Sequence, residues 1–150
     1  MKKLYKEQLL PISIKDAWDF FTSPQNLNAI TPPDLIFNIT SEMPEKIYAG
    51  LFITYRLKPL LNIPVNWCTE ITHVDEYRYF IDEQRFGPYK CWHHEHHFEE
   101  KGGNTIMRDI VYYDAGKWLF GALAEKFFIT RKLNDIFDYR FNKLKELFNG

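Results

Sequence analysis

Cys91-Trp92-His93-His94-Glu95-His96-His97-Phe98-Glu99-Glu100-Lys101-Gly102-Gly103-Asn104-Thr105-Ile106-Met107-Arg108-Asp109-Ile110-Val111-Tyr112-Tyr113 decides the fold. Two runs rich in aromatic and β-branched residues flank a Gly-Gly pair, the pattern of a two-residue β-hairpin. If Gly102-Gly103 is the turn, Lys101 faces Asn104. Counting back, Phe98 then opposes Met107, His96 opposes Asp109, His94 opposes Val111 and Trp92 opposes Tyr113. A strand has a period of two, so Trp92, His94, His96 and Phe98 share one face and Cys91, His93, Glu95 and His97 the other. The first face, with Met107, Asp109, Val111 and Tyr113, is the more apolar and is taken as inner.

Working outward, the same texture runs back to Leu35. Strands are predicted over about 35–42, 50–58, 64–73 and 77–86, ahead of 90–100 and 104–113. Turns fall around Pro44 to Ala49, Leu60 to Ile63, Asp75-Glu76 and Gly87-Pro88. Short connections between successive strands imply an antiparallel meander. Before it, residues 3–10 read as a first strand. Ser13 with Asp16 three residues on is a helix start, and Ser23-Pro24 opens a second short helix that Thr31-Pro32-Pro33 ends. After Asp114-Ala115-Gly116 the period changes to that of a helix, with Leu119, Leu123, Phe127, Leu133, Phe137, Phe141, Leu144 and Phe148 on one stripe. About 32 helical residues would reach roughly 48 Å, enough to lie across the sheet. This order of elements predicts an α+β helix-grip: a curved antiparallel sheet of about seven strands around a long C-terminal helix, with two short helices after strand one. Leu123, Phe127, Phe137, Phe141 and Leu144 are expected to be buried against the sheet.

Composition narrows the function. The 150 residues suit one domain over 1–150, and 45% hydrophobic residues suffice for a core. Nineteen Lys and Arg against 20 Asp and Glu leave a net charge of -1, without the cationic field that nucleic-acid binding needs. The N-terminal basic residues have no apolar run behind them, and the most apolar stretch, Trp118 to Ile129, is too short for a stable membrane insertion. Cys68 and Cys91 stand alone, so neither a zinc ribbon nor a disulfide scaffold is indicated, and a cytoplasmic location is expected. Nucleotide-binding glycine loops, a nucleophile elbow and a His-Glu-x-x-His motif are missing from the sequence. Aromatic residues reach 17%, and large rings line pockets for apolar ligands.

Gly87-Pro88-Tyr89, Trp92-x-His94-x-His96-x-Phe98, Thr105-x-Met107-x-Asp109-x-Val111-x-Tyr113 and Ile136-Phe137-Asp138-Tyr139-Arg140 resemble the small bacterial ligand-binding, polyketide cyclase-like branch of the START/Bet v 1-like superfamily (SRPBCC). The resemblance covers nearly the whole chain. It favours Phe80, Asp82 and Gln84 pointing inward on their strand. A cavity between sheet and last helix is expected from geometry, because a wide sheet curled round a single helix seldom fills its interior.

The leading expectation is a protein, more a binder than an enzyme, that holds a small hydrophobic or aromatic molecule of lipid, polyketide or isoprenoid type. Its lining would comprise Tyr55, Trp67, Phe80, Asp82, Gln84, Trp92, His94, His96, Phe98, Asp109 and Tyr113. For His94, His96 and Asp109 three roles stay open: a buried structural network, anchors for the polar end of a ligand, or acid-base catalysis in a cyclase- or dehydratase-like enzyme. No spacing demands a metal, whose third ligand would have to be Asp109 or a neighbour, and no cofactor is expected. A neutral His96 imidazole bonded to Asp109 is the expected state of that pair. Arg140 is read as snorkelling to solvent or pairing with Asp109, with contact to a ligand carboxylate as the alternative. Trp118, Phe120, Phe127 and Phe128 read as core at a helix start, with a hydrophobic mouth as the alternative. A monomer or weak homodimer fits this reading, and a protein-interaction module with a vestigial cavity is the remaining alternative.

Overall fold

In a computed structural model, residues 1–60, 63–115 and 124–149 are described. Strand β1 (Lys2–Leu10) is followed by helix α1 (Ile14–Phe21), two 3-10 turns (Pro24–Ile30 and Pro33–Leu35), and strands β2 (Asn38–Ile39), β3 (Phe52–Leu60), β4 (Ile63–Asp75), β5 (Tyr79–Phe86), β6 (Cys91–Lys101) and β7 (Asn104–Asp114). Helix α2 (Ala124–Phe148) closes the order. The seven strands form one antiparallel sheet, β1-β7-β6-β5-β4-β3-β2, in which the first strand lies beside the last. This is the α+β helix-grip that the order of elements predicts.

Local chemistry explains the elements. The Ser13 hydroxyl accepts from the Asp16 backbone N–H at 3.1 Å and caps α1. The second predicted helix is a 3-10 segment, because only seven residues fit between Pro24 and Ile30 before Pro32-Pro33 blocks continuation. The strand predicted over 35–42 shrinks to Asn38–Ile39, since a 3-10 turn runs to Leu35 and Ile36 takes a left-handed φ of 46°. Register shifts interrupt the β3/β4 pair between Leu57 and Leu60, and the β4/β5 pair at Cys68/Thr69 and Ile71/His73. Such irregularities bend strands and help a sheet curl.

Helix α2 buries Ile129, Leu133, Phe137 and Leu144. Phe127 does not join them: it is 79% exposed, because it lies two residues, roughly 200°, around the helix from Ile129. Phe141 sits at the rim, 36% exposed, with its carbonyl accepting from Gln8 at 3.0 Å. Phe128 is also largely exposed, which corrects its reading as core. Trp118, Leu119, Phe120 and Leu123 lie outside the described residues. Three buried clusters ring the interior. One joins Leu10, Trp18, Phe80, Phe98 and Met107, the second Leu4, Val111, Tyr113, Leu133 and Phe137, and the third Leu51, Ile53 and Ile71.

Candidate functional site

Between the inner face of the sheet, α2 and the Pro24–Phe37 segment is a cavity of about 190 Å³. One wall is aromatic. Tyr55 stacks on Trp67 at 5.9 Å, Trp67 meets Trp92 edge-on at 5.4 Å, and Phe37 leans on Tyr55 at 4.8 Å. The Tyr55 hydroxyl is 2.7 Å from Thr69 Oγ1, and burial holds its pKa far above the usual phenol value.

The opposite wall carries the charged groups, and the hairpin places them. β6 and β7 pair as Lys101 with Asn104, Phe98 with Met107, His96 with Asp109, His94 with Val111 and Trp92 with Tyr113. β5 sets Asp82 across from His94 and Phe80 across from His96. Each imidazole therefore faces one carboxylate directly, yet the shortest bonds run diagonally. His94 Nε2–H donates to Asp109 Oδ1 at 2.8 Å, and His96 Nε2–H donates to Asp82 Oδ2 at 2.8 Å. Diagonal neighbours are within reach of long side chains on a twisted sheet. The direct contacts are longer, at 3.4 Å from His94 Nδ1 to Asp82 Oδ2 and 3.2 Å from His96 Nδ1 to Asp109 Oδ1. The last is too bent to be a hydrogen bond, and His96 Nδ1 has no other partner. Arg140, from α2, comes within 3.6 Å of Asp109 and lies over the Phe137 ring.

Electrostatics divides the two rings. Burial pushes both imidazoles toward the neutral form. For His94 it prevails, helped by the charge of its neighbour, and the pKa falls below 6.5. For His96 the nearby Asp109 carboxylate and the hydrogen bond that the ring donates to Asp82 win, and the pKa rises above 6.5. Both rings lie near both carboxylates, but His94 also carries the opposing charge of its neighbour, so the two pKa values move in opposite directions. Burial raises Asp82 and Asp109, but the two imidazoles and the Arg140 guanidinium more than reverse it, so both carboxyls stay below 3.8. Two carboxylates and one guanidinium give the cluster a net charge of -1 before either imidazole takes up a proton.

Of the residues expected to line the cavity, Tyr55, Trp67, Phe80, Asp82, Trp92, His94 and His96 do so. Gln84 is turned to the β5/β6 connection, where its amide donates to the Tyr89 carbonyl at 2.6 Å and accepts from the Tyr89 N–H at 3.2 Å. Phe98 packs against Trp18 and Phe21, and Tyr113 joins the Val111 cluster and donates to Thr130. Asp109 stands behind the imidazoles and supports them without lining the cavity. Sequence reading missed Tyr89, Leu27, Leu35 and Phe37, which lie in turns where no period marks an inner face. Arg140 had a signal: it falls on the spacing of Leu133, Phe137 and Leu144.

No family model matches the chain, and no curated protein matches it in sequence. Solved structures do match its shape. Protein CV1439 from Chromobacterium violaceum superposes with a TM-score of 0.75 at 6% identity, covering 100% of this chain and 99% of that one. Ginseng major latex-like protein 151 from Panax ginseng gives 0.69 at 13% identity, with 98% and 97% covered. Protein Ms6760 from Mycobacterium smegmatis gives 0.68 at 17% identity, with 97% and 89% covered. The chain thus has the START/Bet v 1-like helix-grip fold. Among the described residues, no helix is long and apolar enough to cross a membrane.

Proposed function

We propose that the protein binds a compact hydrophobic or aromatic molecule in the cavity, oriented by the histidine and aspartate cluster at its polar end. The observation that carries this reading is one cavity with an aromatic wall facing Asp82, His94 and His96. Its volume of about 190 Å³ is near that of engineered cavities that hold benzene, about 150 Å³. A one- or two-ring molecule suits it better than a long-chain lipid. Two donors add to the case: Trp67 Nε1 and Arg140 Nε are buried without a protein partner, and both residues line the cavity. Buried donors need acceptors, so the ligand should carry oxygen atoms. Cys68 and Cys91 are free thiols, which fits a cytoplasmic protein, and a monomer or weak homodimer acting through one domain completes the reading.

A second reading is favoured by one geometric fact. His94 donates Nε2–H to Asp109, which fixes its tautomer and leaves Nδ1 as a base beside Asp82 on the cavity wall. A cyclase- or dehydratase-like proton transfer would use that nitrogen. Native mass spectrometry of the purified chain, followed by ligand-observed NMR with single- and two-ring phenols and aromatic carboxylic acids, separates the readings. Binding that Trp67→Phe weakens supports the carrier, and conversion of a bound probe supports the enzyme. Failure of every such probe to bind removes both.

A further inference from the structure

The polar wall has a feature that hydrogen bonding to a ligand does not require. Asp82, His94 and His96 each bring one ligand-type atom to the cluster, with all three atoms within 4.8 Å of one another. They come from two adjacent strands, and the two imidazole centroids are only 3.7 Å apart. Sequence spacing offers His94-x-His96 and left the third ligand as Asp109 or a neighbour; the structure supplies Asp82 from β5.

We propose that Asp82, His94 and His96 form a divalent transition-metal site of the zinc type, with its fourth position open to the cavity. Two imidazoles and one carboxylate are a donor set of open zinc sites, which keep a position for an exogenous ligand. At about 2.0–2.1 Å from such a metal, ligand atoms of a tetrahedron lie about 3.4 Å apart. His94 Nδ1 is already 3.4 Å from Asp82 Oδ2, and His96 Nε2 is 2.8 Å from the same oxygen. The supporting shell is also in place. Asp109 accepts the Nε2–H of His94 at 2.8 Å, which leaves Nδ1 with its lone pair free for a metal. His96 Nδ1 lies 3.2 Å from the same Asp109 oxygen, unbonded as it stands, and a small rotation of the ring on metal binding would complete that second bond. One carboxylate would then orient both imidazoles, as metal-bound histidines generally require.

Charge then names the ligand class. With both imidazoles bound as neutral ligands, a divalent cation set against the two carboxylates and the Arg140 guanidinium leaves a net charge of +1. An anionic oxygen in the fourth position, from a phenolate, carboxylate or enolate, restores neutrality. This extends the ligand-binding reading and rests on it.

The test is titration of the chelator-treated 150-residue chain with Co²⁺, read as visible ligand-field absorption. One equivalent should give the intense bands of a four-coordinate site, bleached by Zn²⁺. Asp82→Asn and His94→Gln should abolish them, Asp109→Asn should weaken Co²⁺ binding by about 10–100-fold, and the outer-face pair His93→Gln/His97→Gln should retain them. Weak octahedral-type bands, or bands lost with the outer pair and kept by the inner variants, overturn the site. If an inner variant fails to fold, imidazole ¹⁵N shifts of the wild-type chain decide. Zn²⁺ should move His94 Nδ1 and His96 Nε2 and leave His93 and His97 in place, and any other pattern overturns the proposal. Affinity for a phenol probe, measured with Zn²⁺ and with chelator, distinguishes the two failures. Equal affinity in both sinks the metal and keeps the cavity ligand, whereas no binding in either sinks the cavity reading whatever the cobalt spectrum shows.

Discussion

The two faces of β6 carry nearly the same chemistry and put it to different use. Outside, His93 is 2.8 Å from Glu83 and His97 is 2.7 Å from Glu95. Inside, His94 and His96 make bonds of 2.8 Å to Asp109 and Asp82. Bond length does not separate the sets; solvent does. The outer side chains are between 23 and 34% exposed, the inner ones between 5 and 15%. Water competes for the outer charges and screens them, while each inner charge depends on its protein partners alone. The same residue types are thus a solvated surface on one face and a mutually dependent charge cluster on the other.

The sharpest way to break this comparison is to remove the shared acceptor. Asp109→Ala leaves the Arg140 guanidinium without its nearby carboxylate and His94 without its acceptor, and removing one partner of a buried ion pair costs about 3–5 kcal/mol. Urea unfolding should show that loss as a shift in midpoint with little change in slope. A loss below about 1 kcal/mol would mean that the inner network behaves like a surface one.

pH gives a smaller effect with a definite sign, read in chelator so that only protons compete for the imidazoles. His96 has a raised folded-state pKa, so its contribution is fully present below 6.5 and is lost as pH climbs through the folded value above it. His94 has a lowered one, so its contribution is present above 6.5 and is lost as pH falls from there toward the folded value. Asp82 and Asp109, both lowered, lose theirs only as pH falls below 3.8. Asp82 on β5, Asp109 on β7 and Arg140 on α2 are the charges that face the rings. Stability should therefore peak near pH 6.5 and fall on both sides. His96→Gln should flatten the alkaline arm and His94→Gln the arm just below the peak. A profile without that maximum between about pH 5 and 8 contradicts the opposite shifts of the two rings.

How much of this was legible beforehand follows the same boundary. The Gly102-Gly103 turn, with φ values of 59° and 79°, fixes a register that can be counted, so the sharing of one face by His94, His96 and Asp109 was readable. Asp82 entered through the resemblance, because the length of the Gly87–Tyr89 connection decides which face of β5 turns inward. The diagonal bonding was not readable, since it depends on twist and side-chain lean. Neither were the walls from Leu27 to Phe37, where Pro-bounded 3-10 turns carry no period. On α2 a stripe seen at three- and four-residue intervals admitted Phe127, because gaps accumulate phase when a helix is read over many turns.

The least expected effect tests the comparison from the other side. Glu95 accepts from His97 at 2.7 Å and lies 3.3 Å from His93, so like Asp109 it sits between two imidazoles. Burial raises its pKa, and the hydrogen bonds to His97 and His93 bring it below 4.5, the direction seen at Asp109. The difference lies in what replaces the lost partner. Around Glu95→Gln, water can solvate both imidazoles, and the glutamine amide still offers an oxygen to one of them. The expected cost is about 0–1 kcal/mol. Added salt should shrink it further, because exposed pairs are screened within a Debye length of roughly 8–10 Å. Urea unfolding of Glu95→Gln and Asp109→Asn, each at low and at high salt, makes the measurement. The outer variant should differ from the parent only at low salt, and the inner one at both. If Glu95→Gln matches Asp109→Asn in size and salt response, burial is not what distinguishes the two faces.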